Sequence, residues 1–223
     1  MIITDCWDEA VSFYTGSLEG SDGSGPGKLL YALADKRCAN YKTCGDMGDD
    51  VTGRSYINKE IFAQFAIGKS KLRNGECASA REQKEAIEIL MLVPLIQGTL
   101  RYAFKTQSGA AYSEKAEAEG VIFAASVLPV VHACNPTAAQ IIADNLVAGQ
   151  SNTADFVAVK AAFESTYKCM GVNPDHVGGL YNAATRLYEA NAEPLNYSGS
   201  SVVAGTASVV VATVVGALIV ILV

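Results

Sequence analysis

Apolar residues recur every three or four positions along most of the chain, and short runs of Gly, Ser, Asp and Asn separate these stretches. That is the pattern of amphipathic helices joined by loops. The first such stretch is "WDEAVSFYTGSLEG", residues 7–20. Trp7, Val11, Tyr14 and Leu18 make an apolar stripe, and Asp8, Ser12, Thr15 and Glu19 make a polar one beside it. Gly16 falls inside, where it costs helix stability relative to Ala, and Gly20 stands where a C-terminal capping glycine belongs. The spacing therefore predicts one short helix ending at Gly20. Glu19 lies in its last turn, against the helix dipole, where a carboxylate is either solvated or held by a cation.

The rest of the chain reads the same way. "SDGSGPG" (21–27) is a loop, and a helix follows over 28–41 with Leu29, Leu30, Leu33 and Ala34 at core spacing. "CGDMGDDVTG" (44–53) is again a loop; its Asp46, Asp49 and Asp50 lack the spacing and the closing Glu of a calcium-binding hand and read as solvated. Residues 55–73 form a helix with Ile57, Ile61, Phe65 and Leu72 near one face, ended by "NGE". The longest helix, 77–105, has a charged first half and an apolar second half, with Pro94 expected to kink it. Gln97 and Arg101 share a face of it. Arg101, set among Leu100, Tyr102, Ala103 and Phe104, is expected to be part-buried and to need an anionic partner. Further helices are expected over 112–133, 135–149, 153–171 and 174–191, and strand signals are few. The expected fold is all-α: a multi-helix antiparallel bundle of about eight helices, forming one domain over 1–197.

Beyond it, residues 198–223 carry no charge and end in "VVVATVVGALIVILV". About 20 such residues span a bilayer as a helix. A buried core helix is disfavoured because this sequence has no polar face. Between a transmembrane helix and a GPI-attachment signal, the second is favoured, since no Lys or Arg follows the apolar run. Ser198, Gly199 or Ser200 would then be the attachment site, although the spacer "SVVAGTAS" is less polar than that pattern asks.

Composition narrows the function classes. The chain of 223 residues carries a formal charge of −6, all of it ahead of the tail, which argues against nucleic-acid binding. Six cysteines without a CxxC pair read as disulfides rather than as a zinc site. Cys38–Cys44 is expected as a local loop, Cys134–Cys169 as a clip between helices, and Cys6–Cys77 by elimination. Asn196 in "NYS" is a glycosylation sequon. Disulfides, sequon and tail together point to the secretory pathway and a cell-surface or periplasmic location. "MIITDCWDEA" does not read as a signal peptide, so the chain is expected to be a piece of a longer secreted precursor.

No nucleophile elbow, P-loop, HExxH or dinucleotide turn is present. Neither His132 nor His176 has a Glu three residues before it, as a di-iron bundle enzyme would want. A non-enzymatic role is expected. The helix-end signal at residues 14–20 has a counterpart: Tyr14 precedes Glu19-Gly20, and Tyr112 precedes Glu119-Gly120. Phenolate and carboxylate oxygens are hard ligands suited to Fe(III). His132, about 20 Å beyond Glu119 along a straight helix, cannot share an ion with it.

"WDEAVSFYTGSLEG", "GKLLYALADKRCANYKTCG", "IQGTLRYAFK" and "YSEKAEAEGVIFAASVLPVVHAC" together resemble the algal Fe-assimilating, high-CO2-inducible periplasmic proteins, whose diatom relatives are the phytotransferrins. The resemblance covers most of residues 7–190. It implies a secreted or cell-surface protein of ferric iron acquisition that takes Fe(III) together with carbonate, in chains with more than one copy of this unit. Side-chain chemistry within the matching words nominates Tyr14, Glu19, Tyr112 and Glu119, with Asp8, as iron ligands. Arg101 would pair with the carbonate. The alternative is a non-catalytic surface adhesion or cell-wall scaffold domain, in which the same tyrosines are core residues and the glutamates pair with Lys or Arg.

Overall fold

The computed structural model describes residues 3–17, 25–110, 113–149 and 153–195. The tail from 198, Asn196, Glu19 and Tyr112, on which several of the expectations rest, lie outside the described residues. The described residues form eight helices: α1 (Ile3–Thr15), α2 (Leu30–Tyr41), α3 (Tyr56–Arg73), α4 (Cys77–Lys105), α5 (Glu114–Cys134), α6 (Pro136–Asn145), α7 (Phe156–Met170) and the short α8 (Pro174–Val177). The fold is all-α and multi-helical, as its periodicity predicts.

Helix starts follow from local chemistry. Ser113, Asn135, Asp155 and Asn173 each accept a hydrogen bond from a first-turn N–H of α5, α6, α7 and α8, and Pro136 and Pro174 follow two of these caps directly. One boundary differs from the reading above. α1 stops at Thr15 and not near Gly20. Gly16 takes a left-handed φ of 76° and its N–H bonds the Ser12 carbonyl at 2.7 Å. The glycine that looked like a cost inside a longer helix is the residue that ends a shorter one.

The expected helix over 174–191 is also corrected. Only Pro174–Val177 is helical; Gly178-Gly179 break it, and β1 (Tyr181–Asn182) and β2 (Leu187–Tyr188) pair antiparallel with Tyr181 opposite Tyr188. The Asn182 side chain accepts from the N–H groups of Ala184 and Thr185, closing the turn that a helical pattern cannot supply.

α4 is the axis of the domain. Most of its apolar half is buried: Val93, Pro94, Ile96, Gln97, Gly98, Thr99 and Leu100 are all buried, with Leu95 partly so. α2, α3, α5, α7 and α8 all pack on it. α4 and α5 are both long and apolar enough to cross a membrane, but most of the apolar stretch of α4 is buried inside the fold. Gln97 is satisfied there: its Nε2 donates to the Val177 carbonyl at 2.9 Å and to Thr43 Oγ1 at 3.3 Å, and the Tyr41 hydroxyl donates to the Gln97 carbonyl at 2.8 Å. These bonds join α2, α4 and α8 through one buried point.

Two disulfides form. Cys38–Cys44 ties the last turn of α2 to the following loop, and Cys134–Cys169 ties the end of α5 to the end of α7. Both match the expected pairs and fit a protein made in an oxidising compartment. The third expected pair is corrected: Cys6 and Cys77 are exposed free thiols. Cys6 on α1 lines a groove with Lys84, Ile87 and Glu88 of α4, whereas Cys77 opens α4 about 10 Å before Lys84 at the helical rise.

Two stability predictions follow from this architecture. In the loop-closure model the clip spanning 35 positions contributes more than the one spanning 6. Removing Cys134–Cys169 as a double Ala variant should cost about 4 kcal/mol, and removing Cys38–Cys44 about 2 kcal/mol from lost closure alone; urea unfolding measures both. His176 rests its ring 5.6 Å from that of Tyr56, and burial lowers its pKa below the ordinary imidazole value against the opposing pull of Glu60 and Asp175. The unfolded chain therefore binds this proton more readily. Stability should fall as pH drops from about 6.5 through the lower folded value, and His176→Gln should flatten that fall.

Candidate anion-binding site

An arginine lies in the apolar stripe of α2. Ala34, Arg37, Cys38 and Tyr41 recur at helical spacing, and all four are buried. Arg37 is only 2% exposed, yet its Nε and Nη1 have no hydrogen-bond partner among the described residues. None of the ion pairs among those residues involves Arg37 or Arg101. A buried guanidinium with two nitrogens unpartnered is costly, on the order of 1–3 kcal/mol for each polar group left unpaired, and calls for a physical explanation.

Arg37 opens onto a cavity of about 480 Å³ between α2, α4 and α5. The α2 side supplies Lys28, Lys36 and Arg37, α4 supplies Tyr102, and α5 supplies Glu119 and Phe123. The Arg37 guanidinium carbon lies 6.0 Å from the centre of the Tyr102 ring, and Lys105 Nζ lies 5.7 Å from it, within cation–π range. Phe123 stacks on the same ring at 5.6 Å and 13°. Gly98 permits this arrangement, because a Cβ there would stand 2.5 Å from Phe123 Cδ1.

The electrostatics are those of crowded cations. Burial and then Arg101 lower the Arg37 pKa, with Tyr102, Tyr41 and Glu119 opposing. Burial, then Arg101 and Arg37, lower that of Lys105, against Glu119. Burial and the Glu119 carboxylate raise the Tyr102 phenol, while Arg37 and Arg101 pull it down. Lys28, Lys36 and Arg37 line the pocket with Glu119, the one carboxylate among its described lining residues, and Arg101 and Lys105 lie near enough to act on these groups electrostatically, in a chain whose formal charge is −6. Lys115 also reaches Glu119 from the α5 surface, at 4.0 Å. The pocket is arranged to attract and hold an anion.

The residues nominated from sequence divide. Glu119 lines the pocket, and Arg101 interacts with Arg37, Tyr102 and Lys105 there. Tyr14 and Asp8 are not brought to it. Tyr14 is 2% exposed in an aromatic cluster with Tyr31 and Phe65, its hydroxyl donates to Asn58 Oδ1, and burial pushes its phenol far up. Asp8 forms a surface ion pair with Lys69 at 2.7 Å. Among the described residues, no group of three His, Cys, Asp or Glu side chains is placed to hold a metal ion. Arg37, Tyr102 and Lys105 were missed from sequence. Their signals are an arginine in an apolar stripe, and a lysine one turn beyond Arg101 on the same helix face.

No protein-family model, curated protein or solved structure matches the chain.

Replacing Arg37 with an apolar side chain of similar length separates its structural and binding roles. Arg37→Met should stabilise the ligand-free protein, by about 1–3 kcal/mol as the unpaired charge is removed. A thermal melt reads this as a rise of several degrees at about 2–4 °C per kcal/mol for a chain of this size.

Proposed function

We propose that this protein binds ferric iron together with a small oxyanion, at the pocket of Arg37, Arg101, Tyr102 and Glu119, as part of iron acquisition at the cell surface or in the periplasm. The observation that carries the reading is the buried Arg37 guanidinium, whose Nε and Nη1 are unpartnered, in a residue that lines one cavity with Tyr102 and Glu119. The resemblance to the Fe-assimilating proteins supplies the metal. The two disulfides agree with a secreted or membrane-associated protein.

The charges balance under this reading. Fe(III) with carbonate keeps one positive charge. A Tyr102 phenolate and the Glu119 carboxylate, both hard oxygen donors, bring the assembly to one negative charge, which the Arg37 guanidinium alone neutralises. Carbonate is planar and presents two oxygens along an edge, which matches the fork of a guanidinium. Acidification protonates carbonate, removes that match and weakens the site. Iron release on entry into an acidic compartment follows.

A visible absorption titration of the full chain in mild detergent, with ferric salt with and without bicarbonate, tests the proposal. A tyrosinate-to-iron charge-transfer band that needs bicarbonate is expected. Tyr102→Phe should abolish it and Tyr14→Phe should leave it in place. A colourless, metal-free protein under both conditions would favour the scaffold reading instead.

A further inference from the structure

A carbonate beside Arg37 accounts for neither the size nor the charge of the pocket. A cavity of about 480 Å³ falls within the range of roughly 300–1,000 Å³ that encloses organic ligands. Carbonate has only four heavy atoms, and even a few times the roughly 30 Å³ share of one water molecule in the liquid fills a small part of that space. The cationic side chains are also spread through the pocket. Arg37 is deep, 2% exposed, whereas Lys28 and Lys36 are exposed at its mouth. Arg101 and Lys105 act from α4. A carbonate held on Arg37 leaves the two mouth lysines unengaged. A ligand with several carboxylates on a short carbon frame reaches from the deep guanidinium to the mouth. The apolar wall of Leu33, Ile122 and Phe123 suits that frame and offers no competing polar groups.

We infer that the anion of this pocket is a small organic polycarboxylate of about citrate size, seated with one carboxylate on Arg37 and another at Lys28 and Lys36. Iron then enters already chelated, as an anionic ferric complex. The inference rests on the reading of the pocket as the anion site of an iron-binding protein, and it changes what that protein accepts. The cationic side chains in and beside the pocket outnumber the one carboxylate among its described lining residues, and so favour a negatively charged chelate over a free ferric ion.

Isothermal titration calorimetry of the full chain with metal-free citrate, acetate and bicarbonate tests it. Citrate should bind at least tenfold more tightly than either monovalent anion. The double variant Lys28→Glu/Lys36→Glu, whose sites are exposed, should weaken citrate at least tenfold while changing acetate binding by less than threefold. Acetate or bicarbonate binding as tightly as citrate would overturn the inference, as would citrate binding that the double variant does not alter. The iron reading is judged separately, by adding ferric citrate with radiolabelled citrate. Citrate retained with one equivalent of iron supports both. Citrate bound without iron supports the polycarboxylate site and removes the iron. A bicarbonate-dependent ferric band in a protein that ignores citrate keeps the iron and removes the polycarboxylate.

Discussion

The apolar second half of α4 must be covered on every side, and this requirement organises the domain. A helix with one apolar stripe is satisfied by one neighbour; in the segment from Val93 to Leu100 every residue but the partly buried Leu95 is buried. α2, α3, α5, α7 and α8 supply the cover. The single long polar side chain in that segment, Gln97, is bonded to groups from the α2–α3 loop and α8, so its burial fixes how those elements meet. Where α4 leaves the core, its sequence turns polar at Arg101 and Lys105. The candidate site forms at that transition, between the dry axis and solvent.

Arg37 works against the stability of the fold. The α2 stripe would pack more favourably with a leucine or methionine at this position, because a buried charge is held at a cost unless it is paired and hydrogen-bonded. Tyr102 offers its ring face to the guanidinium, which offsets part of that cost. The neighbouring Arg101 adds to it. A group kept in such surroundings is the sort of strained, unsatisfied feature found at functional sites. The disulfide at Cys38, the next residue, secures the turn that carries it.

The helices were legible because their apolar spacing is regular and their caps are of the usual types. α4 in particular spans the residues its pattern indicates. What escaped the sequence depends on residues far apart in the chain. The end of α1 turned on whether Gly16 or Gly20 takes the left-handed conformation, and both carry the same local signal. The last predicted helix failed because Gly178-Gly179 and the Asn182 turn outweigh the apolar spacing around them. The third disulfide followed from parity alone, which contains no distance. For the candidate site, Glu119 and Arg101 were recognisable as polar groups in apolar surroundings. Their convergence with Arg37 and Tyr102 arises from the packing of α2 and α5 on α4, which no short stretch encodes. Tyr14 carried an equal signal on a different face of the molecule and is used in the core.

The ring of Phe123 lies in the space left by Gly98 and against Tyr102, so one side chain is both interhelical packing and pocket wall. Much of the pocket wall is therefore assembled when the helices dock. Binding to such a surface carries little penalty for ordering the protein. Discrimination then rests on shape and charge fitted in advance. A scarce solute can be captured by such a pocket without first waiting for the chain to rearrange.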